Sequence, residues 1–176
     1  MSEWPIAQGY NNVVISTSSP DSIGVELDVL NAKPAVTTWF LANGALYIPF
    51  VVSRPFTARV MGVVNGGVTS GNIDVGIYDD QKNRLVSKGS TAQSGISVAQ
   101  LMDITDTPLN PGVYYMGVAC DNTTANFWKF PCTNVAITAL GVLVQATAFP
   151  LPATAAWTAG SSTGIPIALV SAKTAI

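Results

Sequence analysis

Apolar and polar residues alternate along the middle of the chain with a period of two, which is typical of half-buried β-strands. In the segment 46–52, for example, Leu46, Ile48 and Phe50 fall on one face. Val, Ile, Thr and aromatic residues, which suit a pleated surface, dominate these segments. The same pattern predicts further strands at 57–64, 72–79, 98–104, 112–120, 126–130 and 135–144.

The connections between these segments are rich in Asn, Asp, Gly and Pro, which tolerate positive φ or preset a turn. In the connection 79–83, Asp79 is expected to cap a type I turn and Asn83 to take the left-handed conformation. No segment carries the caps expected of a helix. Seven or eight short strands therefore predict an all-β fold, a single antiparallel β-sandwich or jelly roll with extended arms at both ends.

The two ends of the chain lack a clear period. We expect an N-terminal arm at 1–22, a β-sandwich core at 23–145, and a C-terminal segment at 146–176, rich in Pro, Ala, Thr, Ser and Gly, that packs on the core or on a neighbour. Both ends are too apolar for disordered tails. Their large side chains are therefore predicted assembly contacts, namely Trp4, Ile6, Tyr10 and Trp157.

Composition narrows the possible partners. Hydrophobic residues make up 48% of the chain and charged residues only 10%, with a net charge of −2. The eight Lys and Arg residues are scattered, so nucleic acid is not an expected partner. The longest apolar runs are far shorter than the roughly 20 residues that span a bilayer, which argues against membrane insertion. The first residues do not resemble a signal peptide, so we expect synthesis in the cytoplasm without one.

The chain has no histidine, and this removes the commonest general base and the commonest transition-metal ligand. Asp79, Asp80 and Asn83 lack the glycine and glutamate of an EF-hand loop. A glycosidase pair would have to come from four aspartates, Asp74, Asp79, Asp103 and Asp106. Their spacing in the sequence does not place any two of them face to face. We therefore expect no enzyme activity, no cofactor and no metal.

The two cysteines are expected to be buried free thiols. If 121–126 is a hairpin loop, Cys120 pairs with Phe127 and lies away from Cys132. Cytoplasmic synthesis also disfavours a disulfide.

The same loop is the candidate for ligand binding. Asp121, Asn122 and Asn126 offer planar polar groups beside the aromatic ring of Trp128, a combination suited to sugars. The alternative is that Trp128 belongs to the core, because Phe127, Trp128 and Phe130 lie on one strand and one of its faces must enter the core.

Six turn and strand motifs are distinctive: NGALYIPF at 43–50, SGNIDVGIYD at 70–79, NRLVSKGS at 83–90, LNPGVYY at 109–115, FPLPAT at 149–154 and GIPI at 164–167. Together they resemble the β-sandwich modules of virion proteins of tailed bacteriophages. The resemblance spans residues 39–170 and implies a place on the virion as a fibre, tail or capsid-surface component, in some cases with binding of host glycans. It supplies no catalytic residue.

The sequence thus favours a non-enzymatic structural component of a phage virion, located in the capsid decoration or the tail and fibre. It is expected to form a homo-oligomer and to dock on other virion proteins through its apolar arms. A trimer is favoured by analogy with the resembled modules. The alternative is a carbohydrate-binding module that recognises a host surface glycan.

Overall fold

The computed structural model describes residues 33–162 and 164–173, together with the backbone of 13–14, 22–24 and 26–27. This part of the chain is nearly all β, which confirms the predicted fold class. Its helix is too short to cross a membrane. The elements are β1 Val13–Val14, β2 Ser22–Gly24, β3 Glu26–Leu27, β4 Ala35–Thr38, β5 Gly44–Val52, β6 Phe56–Val64, β7 Asn72–Tyr78, β8 Arg84–Ser87, β9 Thr91–Ala92, β10 Ala99–Leu109, β11 Gly112–Cys120, β12 Asn126–Phe130, α1 Asn134–Ala139, β13 Leu143–Gln145, β14 Ile165–Pro166 and β15 Ala168–Ser171.

Antiparallel sheets pack together in a sandwich-like arrangement. A six-stranded sheet runs in the order β13-β5-β11-β7-β8, with β9 also paired to β7. A four-stranded sheet has the order β10-β6-β15-β2, and a three-stranded sheet the order β14-β12-β4. The short strands β1 and β3 pair with each other.

The six-stranded sheet is buried on both faces. Alternate residues of its central strands, such as Leu46, Val75 and Val118, enter the main core that the other two sheets complete. The intervening residues of the same strands, such as Tyr47 and Tyr78, point the other way into a second cluster. Because both faces are covered, these strands carry apolar residues at almost every position.

The second cluster is closed by the C-terminal segment. Ala148, Leu151, Ala155 and Trp157 cover the tyrosines of the six-stranded sheet. Farther along the chain, β14 belongs to the three-stranded sheet and β15 to the four-stranded sheet. The described residues after 145 therefore pack on the core, and two of their strands are part of its sheets.

Two of the predictions about strands are wrong. The segment 135–144 forms helix α1 before strand β13, because Thr133 caps the helix by accepting a hydrogen bond from the Ala136 amide, and Gly141 ends it at a φ of +70°. Strand β12 does not form a hairpin with β11, since β11 already has β5 and β7 as its two neighbours. It pairs instead with β4 and β14.

The turn 79–83 joins β7 to β8 as expected, but its left-handed residue is not the predicted one. Asp79 accepts hydrogen bonds from the amides of Gln81 and Asn83 at 3.0 and 2.8 Å. The left-handed residue, however, is Lys82, with a φ of +71°, and not Asn83. The Asn83 side chain also donates to Asp79, which holds the turn from both ends.

Candidate functional site

The loop after β11 is held by its own polar side chains. Asp121 Oδ2 accepts from both the amide and the side chain of Asn72, at 3.0 and 3.1 Å. Asn122 donates to the Ser70 carbonyl at 2.9 Å and accepts from the amides of Thr124 and Ala125. The structure therefore brings Asp121 and Asn122 together, but it uses their polar atoms to fix the loop, and this leaves them little capacity for a ligand.

Trp128 is half-buried on the side of β12 opposite to Phe127 and Lys129. Phe127 belongs to the main core, whereas Trp128 does not. Across the sheet it pairs with Val36 of β4, and Asn126 shares its face of the strand. The ring thus lies between the two alternatives drawn from the sequence: it is neither a core residue nor a fully exposed platform.

Replacing Trp128 with alanine should therefore lower the free energy of unfolding by about 1–2 kcal/mol. This is well below the roughly 3–5 kcal/mol that truncation of a fully buried aromatic side chain costs, because part of the ring is already in water. Urea unfolding measures the difference. A loss in the range typical of buried rings would show that Trp128 acts as a core residue.

The predicted assembly contacts fall into two groups. Trp4, Ile6 and Tyr10 lie outside the described residues. Trp157 is only 8% exposed, and its ring centroid lies 4.6 Å from that of Tyr115 and 4.7 Å from that of Tyr47. Since the ring packs inside its own chain, it has almost no surface to offer a neighbour, and the prediction for Trp157 as an assembly contact is corrected accordingly.

Sequence reasoning missed a buried cation between the sheets. Lys129 is fully buried, donates from Nζ to the Thr38 carbonyl at 2.6 Å, and lies 5.0 Å from the centre of the Trp39 ring. Burial lowers the pKa of Lys129 to about 8. The sequence contained one indication of this burial. Lys129 lies two residues after Phe127 and therefore on the same face of the strand, the face that enters the core.

Both cysteines are free thiols, as expected. Cys120 is buried in the main core and Cys132 is half-buried at its edge. Burial raises the pKa of both thiols, that of Cys120 to about 11. Neither thiol is therefore activated as a nucleophile, because the reactive species is the thiolate.

The aspartates considered for catalysis have structural partners. Asp74 is fully buried and accepts three hydrogen bonds, Asp79 organises a turn, and Asp106 pairs with Arg59 at 3.2 Å on the surface. Among the described residues, no group of three or more acidic or cysteine side chains is arranged to hold a metal ion.

A cleft of about 900 Å³ opens beside the end of β13. One wall comes from the turn after β4, a second from the start of α1, and a third from residues 156–162. Its volume lies within the range of about 300–1,000 Å³ that is common for ligand pockets. Nothing in the sequence marked it, because its walls come from segments that are up to about 120 positions apart.

Large apolar side chains are exposed just before and within the first part of β10. Ile96, Val98 and Leu101 are 63%, 51% and 48% exposed. In the described part of the chain, β10 lies at the end of the four-stranded sheet and pairs with β6 alone. This apolar edge, defined as residues 96–101, is a surface on which another chain could dock.

Comparison with protein-family models, with curated proteins and with solved structures found no match to this chain.

Proposed function

We propose that this protein is a non-enzymatic structural component of a phage virion, placed in the capsid decoration or in the tail and fibre, and that it acts by self-association. The observation that supports self-association best is the apolar edge at 96–101. The resemblance of the turn and strand motifs to phage β-sandwich modules supports the virion as its place.

The two halves of strand β10 differ in a way that favours this proposal. From residue 103 onward it carries Asp103, Asp106 and Pro108 and an irregular register, which are features that protect an edge strand from pairing with other chains. The preceding residues 94–102 include exposed apolar side chains and no charged residue. The edge is therefore protected at one end and open to association at the other.

A second copy of the chain is the partner we propose for this edge. Ile96 and Leu101 lie without an acidic or basic residue between them, so the surface selects for apolar contact and not for an oppositely charged partner. A ring of copies can bury this edge of each chain against the next copy, and closed symmetric assemblies are the commonest form of soluble oligomer. A trimer is the expected size by analogy with the resembled modules.

Light scattering after size exclusion tests self-association. The unsubstituted protein should be oligomeric at micromolar concentration, and the double variant Ile96→Lys with Leu101→Lys should be monomeric, because two buried ammonium groups would oppose the interface. Val135→Lys is the control: it places one lysine at an exposed apolar residue on α1, outside the apolar edge, and should leave the oligomer intact.

A monomeric unsubstituted protein would contradict the proposal, as would an oligomer that both variants retain. Mass spectrometry of purified phage particles tests the place in the virion. Many copies per particle would support capsid decoration, a few copies would support the tail or fibre, and absence from the particle would refute a structural role.

A further inference from the structure

The cleft beside β13 combines an apolar side with a polar side. Phe40 and Leu41 supply the apolar side, and Phe40 is backed by the buried ring of Trp39 at a centroid distance of 5.4 Å. Side-chain amides and hydroxyls, including those of Gln145, Asn134 and Ser161, supply the polar side. Among the described residues, none that lines the cleft is charged.

Gln145 is held in one orientation. Its Oε1 accepts hydrogen bonds from the Ala156 amide at 2.8 Å and from the Tyr47 hydroxyl at 3.0 Å. A backbone N–H can only donate, so the oxygen of the side chain must face Ala156, and the NH2 group must occupy the other position. Within the described residues the NH2 group makes no hydrogen bond, which leaves two oriented donors at the cleft wall.

The backbone of β13 is closed to an added strand at this point. Val144 and Thr158 exchange both of their backbone hydrogen bonds, each at 2.9 Å. An extended peptide could not pair with Val144 in the manner of an added β-strand, because the groups it would need are already used. A ligand in the cleft is therefore held by side chains.

From this arrangement we infer that the cleft binds a neutral saccharide. Sugar hydroxyls both donate and accept, so they match oriented amide donors and neighbouring hydroxyl groups. The apolar face of a sugar ring suits contact with Phe40. Anionic ligands are disfavoured, because the described residues of the walls offer no cation to offset the loss of water around a buried negative charge.

This site is distinct from the loop around Trp128 and independent of the apolar edge. Its walls are fixed before any ligand arrives: Thr133 caps α1, the bridge between Val144 and Thr158 holds the third wall, and Gln145 is oriented by two donors. A preformed site lowers the entropy cost of binding, which matters for weakly bound ligands such as sugars.

Saturation-transfer difference NMR with the full chain tests the inference. The probes are neutral oligosaccharides containing glucose, galactose, mannose or N-acetylglucosamine, together with sialylated counterparts and a pool of uncharged peptides. At least one neutral oligosaccharide should bind at millimolar concentration. Gln145→Glu keeps an acceptor for Ala156 and Tyr47 but removes both donors, so it should weaken binding about tenfold or more.

Two further variants test whether the saccharide binds in the cleft. Ala159→Trp places a large ring at an exposed position in the wall and should abolish binding by filling the space. Gln81→Glu makes the same chemical change as Gln145→Glu in the exposed turn between β7 and β8, and should leave affinity unchanged within about twofold.

Several outcomes would overturn the inference. These are no binding of any neutral saccharide to the unsubstituted protein, selective binding of the sialylated or peptide probes, and saccharide binding that Trp128→Ala abolishes while the two cleft variants retain it. Because the cleft variants leave residues 96–101 unchanged, their oligomeric state reports separately on the proposed assembly role.

Discussion

Replacing Asp74 with alanine should lower the free energy of unfolding by about 2–4 kcal/mol. The buried Leu151 amide would lose its only described acceptor, and the half-buried Gly89 amide would keep only its bond to Ser87 Oγ. A buried donor left unpaired costs roughly 1–3 kcal/mol. The Asp74 carboxylate accepts from the amides of Leu151 and Gly89, at 2.9 and 2.8 Å, and from the Ser87 hydroxyl at 3.2 Å. Burial raises the pKa of Asp74, and the donated hydrogen bonds offset this only in part.

The position of Asp74 explains the size of the effect. It lies on the outer side of β7 beneath the C-terminal segment, so it fastens Leu151 to the sheet. Asp74→Asn keeps one acceptor oxygen but turns an NH2 group toward a donor, and should cost about half as much as the alanine variant.

Urea unfolding with Asp80→Ala as a matched control measures this. Asp80 is exposed, and its removal should change stability by no more than about 0.5 kcal/mol. If Asp74→Ala and Asp80→Ala have similar midpoints, the carboxylate does not fasten the C-terminal segment.

Replacing Lys129 with methionine should raise stability at pH 7 by about 1–2 kcal/mol. Burial lowers the pKa of Lys129 from 10.5 to about 8, and a shift of this size corresponds to about 3 kcal/mol of destabilisation at neutral pH. Methionine has a similar length and fills the same space. The loss of the hydrogen bond to Thr38 and of the contact with Trp39 offsets part of the gain.

The pH dependence gives this prediction a clear sign. Below about pH 8, Lys129 is charged in both the folded and the unfolded chain, so the whole cost of burial is present. Between about pH 8 and 10.5 the folded chain loses the proton first, and the cost falls as pH rises. The advantage of the methionine variant should therefore shrink across this window.

The thiols that face Lys129 also titrate in this range. Burial raises the pKa of Cys120 and Cys132, so both destabilise the folded chain above about pH 9, where unfolded thiols ionise. Both the unsubstituted protein and Lys129→Met carry these thiols, so their contribution largely cancels in the difference between the two.

Denaturant unfolding at several pH values, with the exposed Lys88→Met as control, tests the prediction for Lys129. The control should match the unsubstituted protein within about 0.5 kcal/mol throughout. A methionine variant that is less stable at pH 7, or whose advantage is constant up to pH 10, would show that Lys129 is well accommodated as a cation.

The local pattern of apolar and polar residues was sufficient to predict the bounds of strands that have a neighbouring strand on both sides. The bounds of β11 and β12 follow directly from alternation and turn residues, because side-chain direction in an extended chain depends only on position along it. The position of the turn at 79–83 also follows from residues that lie close together in sequence, although its left-handed residue does not. The cysteines are free as predicted, but the β11–β12 hairpin used in that prediction does not form. The run 135–144 misled because apolar residues alone do not separate a short helix from a strand.

The sequence by itself determined the all-β class of this protein, most of its strands and its lack of histidine chemistry, since each depends on residue types and their local spacing. Tertiary structure decided which strands are neighbours. As a result β12 pairs with β4 and not with β11, Trp157 packs against its own chain, and Lys129 is buried beside Trp39. It also assembled the cleft around Gln145 from segments far apart in sequence. These features depend on long-range packing, in which each strand takes whichever partner buries its apolar face, and local spacing carries no record of that choice.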